Sequence, residues 1–324
     1  MEVDGTAHAV PIGERTIVVP HDDERGATRE TNSRVALVTC GELPALDPDD
    51  QLLLAPLRAA GVEADAVVWD APGVDWRSYD LVVLRSTWDY APRRDDFLTW
   101  AAGVPALVNP IDVVTWNTDK RYLRDLTGAG VPVVETTWVE PGDEGWFVHG
   151  RELVVKPAVG SGSRDTGRYQ LRDPQESRLF GDHLRRLLGQ GRTVMLQPYL
   201  SAVDAEGETA LLFVAGPDGL AYSHAARKGP LLTGPDTQDV GLFKEERIEP
   251  REATPEQLAV AERALAAVPG GPDRLLYARV DVIPDDNGVP VLLELELTEP
   301  SMFLGYATGA PERFATAIAS RAAT

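Results

Sequence analysis

The sequence predicts a chain of mixed α/β and α+β class, and three observations carry that expectation. Short apolar runs alternate with helical stretches from residue 34 to about residue 110, the pattern of a parallel sheet with crossover helices. A second sheet begins at Val154-Val155, with a hairpin pattern further along. The chain is 324 residues long, more than one ordinary domain, so two or three lobes are expected.

Taken in order, residues 1–33 are polar and broken by Pro11 and Pro20, and read as a loosely attached arm. Val35-Ala36-Leu37-Val38 is a buried strand. Asp49 and Asp50 are placed to cap a helix carrying Leu52, Leu53, Leu57 and Ala60 and stopped at Gly61. Ala66 to Trp69 and Leu81 to Leu84 are two further strands. A helix is expected from about Thr118 to Leu126, closed by Gly128 and Gly130. Asp173-Pro174-Gln175-Glu176 and Thr254-Pro255-Glu256-Gln257 each open a helix. Val194 to Leu196 is a strand, and Leu211–Val214 with Ala221–Ala225 form a hairpin around Gly216-Pro217-Asp218-Gly219.

Thirty-one basic against 51 acidic residues give a net charge of −20, which disfavours nucleic acid and anionic membranes as partners. A single cysteine, Cys40, cannot form an internal disulfide and reads as a buried thiol in a reducing compartment. No run is long enough for a membrane span or a signal peptide core, so a cytoplasmic location is expected. Only four of the basic residues are lysines: Lys120, Lys156, Lys228 and Lys244. A chain this rich in arginine keeps lysine where a compact ammonium is needed, for instance against a phosphate oxygen.

The sharpest motif lies near the C-terminus, where Ala278-Arg279-Val280-Asp281-Val282-Ile283 and Val291-Leu292-Leu293-Glu294-Leu295-Glu296-Leu297 flank Asn287-Gly288. Asn-Gly between alternating runs predicts a hairpin. With Asn287 and Gly288 as its loop, Asp281 faces Glu294, Arg279 faces Glu296, and all four charges share one face. Val280, Val282, Leu293 and Leu295 then take the core face. Oxygen-only ligands on one face suit Mg²⁺ shared with substrate phosphates, whereas the bland alternative is ordinary cross-strand ion pairs. Pro284 and Pro290 leave the loop length open. A second motif is Val155-Lys156-Pro157 followed by Gly160-Ser161-Gly162-Ser163-Arg164-Asp165-Thr166, a strand ending in lysine and a loop whose N–H groups can cradle phosphates. A loop of this composition is also a common flexible connection.

Together with Asn117-Thr118-Asp119-Lys120, Gln197-Pro198-Tyr199-Leu200 and Gly207-Glu208-Thr209, these motifs resemble the ATP-grasp superfamily from about residue 34 to the C-terminus. Arg85-Ser86-Thr87-Trp88-Asp89-Tyr90 and the stretch Trp116 to Leu123 look closest to the branch that contains the D-cycloserine cyclo-ligase, which closes O-ureido-D-serine with ATP.

The resemblance implies a three-lobed fold: an N-terminal lobe over 34–112, a small α+β lobe over 113–200 and a C-terminal α+β lobe over 201–324. ATP would lie between the last two, with Mg²⁺ as its metal and Mn²⁺ able to substitute. Lys120 and Lys156 would bind the α- and β-phosphates, and Lys228 the γ-phosphate. The loop with Gly160, Ser161, Gly162 and Ser163 would cover the phosphates. Gln197, Pro198, Tyr199 and Leu200 would read the adenine edge, and Glu208 the ribose. Asp281, Glu294 and Glu296 would hold the metal, and Arg279 would stabilise the oxyanion of an acyl phosphate and of the tetrahedral state that follows. Glu296 departs from the commoner Asn, which leaves the metal count open.

Function follows as ADP-forming joining of a carboxylate to an amine, on an amino-acid-like substrate of specialised metabolism. Two alternatives stay open, closure of one molecule on itself and nucleotide binding without turnover. No Ser-His or Cys-His nucleophile is apparent, and none is required. Arg85, Ser86, Trp88, Asp89 and Tyr90 follow a strand's carboxyl end, where α/β sheets bind ligands, and are expected to contact the substrate. His224 reads as a satisfied structural histidine. Self-association is left open.

Overall fold

The computed structural model describes residues 33–143, 152–238, 241–244 and 246–324. Residues 32–324 form one compact unit. The arm expected over residues 1–33 lies outside the described residues apart from Ser33, which already belongs to the first strand. Among the described residues no helix is long and apolar enough to cross a membrane.

The first sheet is parallel, in the order β2-β1-β3-β4, from β1 (Ser33–Thr39), β2 (Val62–Val68), β3 (Leu81–Ser86) and β4 (Leu107–Val108). Val35 to Val38 are buried without alternation, because both faces of a parallel sheet are covered. The helix after β1 differs from expectation. Asp47, not Asp49 or Asp50, is its cap, accepting from the Asp49 N–H at 2.9 Å. The helix is also split into α1 (Pro48–Gln51) and α2 (Leu54–Ala59). That offset frees Asp49 and Asp50 for contacts elsewhere. After α3 (Arg94–Ala102) comes α4 (Ile111–Asn117), a helix not expected from the sequence. The helix expected from about Thr118 begins only at Tyr122, as α5 (Tyr122–Gly128), with Lys120 on the turn between the two.

The second sheet is antiparallel in the order β5-β8-β6-β7, from β5 (Thr137–Val139), β6 (Glu152–Pro157), β7 (Gly167–Gln170) and β8 (Val194–Pro198). It is backed by α6 (Pro174–Gly189). Asp173 caps α6 as expected, but Glu176 accepts from the Gln170 N–H, so only half of the capping box forms. After α7 (Ala202–Glu206) comes the third sheet, β11-β10-β9-β12-β13, antiparallel throughout. Its strands are β9 (Glu208–Gly216), β10 (Gly219–Lys228), β11 (Ile248–Arg251), β12 (Tyr277–Pro284) and β13 (Pro290–Glu296). Gly216 pairs with Gly219 across the expected turn. Both halves of the Thr254–Gln257 capping box open α8 (Pro255–Ala266), and α9 (Ala310–Ala322) ends the chain.

One apolar cluster joins the first and third sheets, with Val35, Leu37 and Val83 packed in the same core as Leu212, Tyr277 and Phe314. Arg85 sits at this junction, and here the expected substrate role is corrected. Arg85 is fully buried. Its Nε donates to Asp50 Oδ1 at 2.8 Å, another nitrogen donates to the Pro300 carbonyl, and its guanidinium lies 5.1 Å from the Tyr277 ring centroid and 5.3 Å from that of Phe314. Ser86 donates to the other Asp50 oxygen at 2.6 Å and accepts from the Asp47 N–H at 3.1 Å. Asp89 accepts from the Trp69 indole at 2.9 Å and pairs with Arg93. Arg85 and Ser86 are engaged by Asp50, with the Pro300 carbonyl also on Arg85, and Asp89 is engaged by Trp69 and Arg93. Arg85 Nη1 is buried with no hydrogen-bond partner among the described residues.

Arg85→Ala would strand the Asp50 carboxylate in the core. Removing one member of a buried ion pair costs about 3–5 kcal/mol. A fall in Tm of roughly 5 °C or more is therefore expected. A thermal melt within a degree of the unsubstituted protein would contradict this structural role.

Candidate functional site

The β12–β13 hairpin carries the charges in the register predicted for them. Arg279 pairs with Glu296 and Asp281 with Glu294. The loop is nonetheless longer than predicted. Pro284 pairs with Pro290, the Asp285 N–H donates to the Val289 carbonyl at 2.8 Å, and Gly288 takes a φ of 79° that suits glycine. A slip of one residue between Asp281 and Val282, with Val282 opposite Leu292, offsets the longer loop. Its consequence is a second correction: Leu292 enters the core in place of Leu293, and Leu293 joins Ile283 on the cleft wall.

β13 is an edge strand, and its free backbone edge is closed by the segment that precedes the second sheet. Leu292 donates to the Pro132 carbonyl at 2.7 Å and its own carbonyl accepts from the Val134 N–H at 3.0 Å. Leu295 donates to the Tyr122 hydroxyl at 2.8 Å. The Asn117 side chain acts as a surrogate peptide, donating to the Leu295 carbonyl at 2.8 Å and accepting from the Leu297 N–H at 2.7 Å. Glu294 and Glu296 thus stand on a strand fixed on both sides.

These charges face a cavity of about 710 Å³. Every lysine in the sequence lines it, Lys244 included. Lys120 pairs with Glu294 at 2.9 Å and donates to the Gly160 carbonyl at 2.7 Å. Lys228 lies 2.9 Å from both Glu208 and Asp281. Lys244 donates to the Thr166 carbonyl at 3.2 Å. Lys156 has no hydrogen bond or ion pair with any described residue, and burial pushes its ammonium below the usual range. Arg279 holds both oxygens of Asp281 at 2.9 and 3.0 Å, pairs with Glu296, and donates to the Ser301 carbonyl at 3.1 Å.

The carboxylates divide by what neutralises them. Burial opposes the charge of Asp281, but Arg279 and Lys228 outweigh it and hold the carboxyl below its ordinary value. Lys120 and Lys156 do the same for Glu294. Glu296 is pushed up to about 7 by burial, Arg279 being outdone by burial together with neighbouring Glu294 and Asp281. Glu299 rises to about 8 by burial and by the charge of Glu296.

The other expected nucleotide residues line the same cavity: Gly160, Ser161, Gly162 and Ser163, Gln197 to Leu200, and Glu208. The Gln197 side chain donates to Thr136 at 2.9 Å and is buried, so only its backbone is available to a ligand. Gly162 has a φ of 58°, and a Cβ there would come within 2.5 Å of the Leu242 carbonyl. Of the residues expected to meet the substrate, Trp88 and Tyr90 reach the cavity, whereas Arg85, Ser86 and Asp89 do not. The Trp88 indole donates to the Glu299 carbonyl at 2.9 Å, and its carbonyl accepts from Ser161 at 2.7 Å. His224 is buried between Ser223 and the Met302 carbonyl, and Cys40 is buried, both as expected.

Sequence reasoning missed Asp47, Asp49, Glu299, Ser301 and Tyr306, which line the cavity at the mouth of the first sheet and on the loop after β13. The one available signal was Glu299, three residues beyond the carboxylate pair. Among the described residues no group of three His, Cys, Asp or Glu side chains could hold a metal ion by itself. Asp281 is taken up by two cations, so the expected three-carboxylate cluster is not preassembled. Glu294 and Glu296 remain, an oxygen-only pair of which Glu296 is short of positive charge, and this fits Mg²⁺ completed by phosphate oxygens.

The family model for the N-terminal domain of D-cycloserine synthetase DcsG matches residues 35–112. The cycloserine biosynthesis protein DcsG of Streptomyces lavendulae is 39% identical over 304 residues, which cover 89% of this chain and 98% of that protein. The crystal structure of D-cycloserine synthetase DcsG superposes with a TM-score of 0.75 at 37% identity, over 90% of this chain and all of that one. The fold extends to more distant ligases. D-alanine–D-alanine ligase of Bacillus anthracis, complexed with ATP, has a TM-score of 0.60 at 15% identity, over 90% of this chain and 97% of that one. The ATP-grasp ligase PsnB, complexed with a phosphomimetic variant of its minimal precursor, Mg and ADP, has a TM-score of 0.55 at 20% identity, over 90% of this chain and 99% of that one. The chain belongs to the family of the cycloserine biosynthesis protein DcsG and has the fold seen in ATP-grasp ligases.

Proposed function

We propose that this ligase joins a carboxylate to an amine on an amino-acid-derived substrate, with ATP converted to ADP and phosphate. The observation that carries the reading is the meeting of all four lysines with Arg279, Glu294 and Glu296 in one cavity, with Asp281 buried behind Arg279 and Lys228. A substrate carboxylate oxygen attacks the γ-phosphorus and ADP leaves. Nitrogen then attacks the acyl carbon, the C–N bond forms as the C–O bond to phosphate breaks, and phosphate departs.

Catalysis on this scheme is positioning and charge stabilisation. Lys120 and Lys156 bind the inner phosphates and Lys228 the terminal one, under the 160–166 loop. Residues 197–200 take the adenine edge and Glu208 the ribose. Arg279, held by Asp281, points its remaining positive character at the oxygen that gains charge on the acyl carbon. Glu294 and Glu296 hold Mg²⁺, with Asp281 behind them, and the ion neutralises phosphate charge. Trp88, Tyr90 and Glu299 form the substrate end. The three sheets correspond to lobes divided near residues 112 and 200, and dependence on ATP fits a cytoplasmic enzyme.

Closure of one molecule on itself is favoured over joining of two, because the likeness to DcsG runs over nearly the whole of both chains. Incubation with ATP, Mg²⁺ and either O-ureido-D-serine or pairs of amino acids separates the two. Phosphate release with the single ureido substrate, and a product mass matching the ring, is expected. Release that requires two amino acids would make the enzyme an intermolecular ligase, and no release with any substrate would count against the function.

Lys156→Ala tests the nucleotide site. The Lys156 side chain makes no hydrogen bond or ion pair with a described residue and burial already disfavours its charge, so its loss should leave Tm equal or higher. ATP affinity should fall roughly tenfold or more, the value of one charge-assisted contact, and turnover should be lost. A lower Tm with unchanged ATP affinity would make Lys156 structural.

A further inference from the structure

Behind the Gly/Ser loop lies a second cavity, of about 610 Å³, whose wall shares Gly160, Ser161 and Arg164 with the nucleotide cavity. Four other arginines line it, and each is already engaged. Arg93 pairs with Asp70 at 2.6 Å and with Asp89, and Arg121 pairs with Asp119 at 2.5 Å. Arg94 donates to the Thr118 hydroxyl at 2.9 Å and the Thr115 carbonyl at 2.8 Å. Arg192 pairs with Asp165 at 2.5 Å and donates to the Val159 carbonyl at 3.2 Å.

Arg164 differs. Its backbone N–H donates to the Ser161 carbonyl at 3.2 Å and its carbonyl accepts from Thr166, but its guanidinium has no partner among the described residues. The neighbours on either side, Ser163 and Asp165, both have positive φ, at 55° and 52°. Asp165 is turned to Arg186 and Arg192, so the carboxylate next to Arg164 in sequence is spent elsewhere. Lys156 and Arg164 are therefore the two cationic side chains on the nucleotide cavity that make no hydrogen bond or ion pair with a described residue. A cation left unpaired on a cavity wall is available to an anion that enters, and a guanidinium matches the oxygens of a phosphoryl group in a bidentate way.

We propose that Arg164 binds the phosphoryl group that is transferred, first as the terminal phosphate of ATP and finally as inorganic phosphate at the junction of the two cavities. The assignment rests on the ligase reading above and adds a residue and a product site to it. Lys156 stands at the end of β6, within the nucleotide cavity alone, whereas Arg164 is common to both cavities, which places it on the side from which phosphate can leave.

The test compares ATP with ADP by calorimetry on the full chain with Mg²⁺ and no amino-acid substrate, together with inhibition of turnover by inorganic phosphate. In Arg164→Ala the ATP affinity should fall roughly tenfold or more while ADP affinity stays within twofold, and phosphate should inhibit correspondingly less. Arg164→Lys should recover part of the preference for ATP, since it restores charge without the planar fork. An unchanged ratio of ATP to ADP affinity in Arg164→Ala, whether both fall together or neither falls, overturns the assignment and leaves the ligase reading intact. Failure of the unsubstituted protein to bind ATP overturns both. Equal Tm values for the variants and the parent exclude a folding defect as the cause.

Discussion

The site depends on how the outer edge of β13 is held. Glu294 and Glu296 stand on the last strand of a five-stranded sheet, where one side of the backbone would otherwise be open to water or to another strand. Asn117 and Tyr122 close that edge with side chains, and Pro132 and Val134 close it with backbone. The same short stretch carries Lys120, which pairs with Glu294. One segment therefore fixes the strand and supplies a counter-charge to the carboxylate on it. A buried Asn that replaces a missing strand works because its amide has the donor and acceptor of a peptide unit, and both are used.

Once the edge is fixed, charge decides the rest. Asp281 lies between Arg279 and Lys228, and losing either cation would leave a carboxylate with almost no exposure to water. That arrangement orients Arg279 without leaving it neutral, because Glu296 competes for the same guanidinium and is itself raised by burial and by its acidic neighbours. The cavity is thus balanced on its Asp281 side and short of positive charge at Glu296 and Glu299. Lys156 and Arg164 are cations whose side chains make no hydrogen bond or ion pair with a described residue. A nucleotide triphosphate with a divalent cation supplies both missing partners at once.

Much of this was legible in the sequence because it is local. The Asn-Gly signal gave the cross-strand pairs through period-two alternation, and the scarcity of lysine marked the four ammonium groups that line the cavity. The errors arose where a contact spans a long separation. Arg85 follows the carboxyl end of a parallel strand, as a ligand-binding residue would, but its partner Asp50 is 35 residues earlier and Pro300 is 215 residues later. Nothing near Arg85 announces either. Leu293 failed for a different reason: a bulge moves a residue from one face to the other, and sequence alternation cannot register an extra residue that a longer turn conceals.

Arg85, which does not reach the cavity, still bears on the site through position. Arg85 holds the Pro300 carbonyl, and Trp88 holds the carbonyl of Glu299 while accepting from Ser161 of the phosphate loop. The first sheet therefore braces the loop from Glu299 to Ser301 from one side, and Arg279 braces it from the other through the Ser301 carbonyl. This part of the cavity wall is shared by the N-terminal sheet and by β12. A substitution at Arg85 that loosens this loop would move Glu299 and Ser301 relative to Arg279 even though Arg85 never meets a ligand. Stability of the N-terminal sheet and geometry of the Glu299–Ser301 loop beside Arg279 are in this way one property.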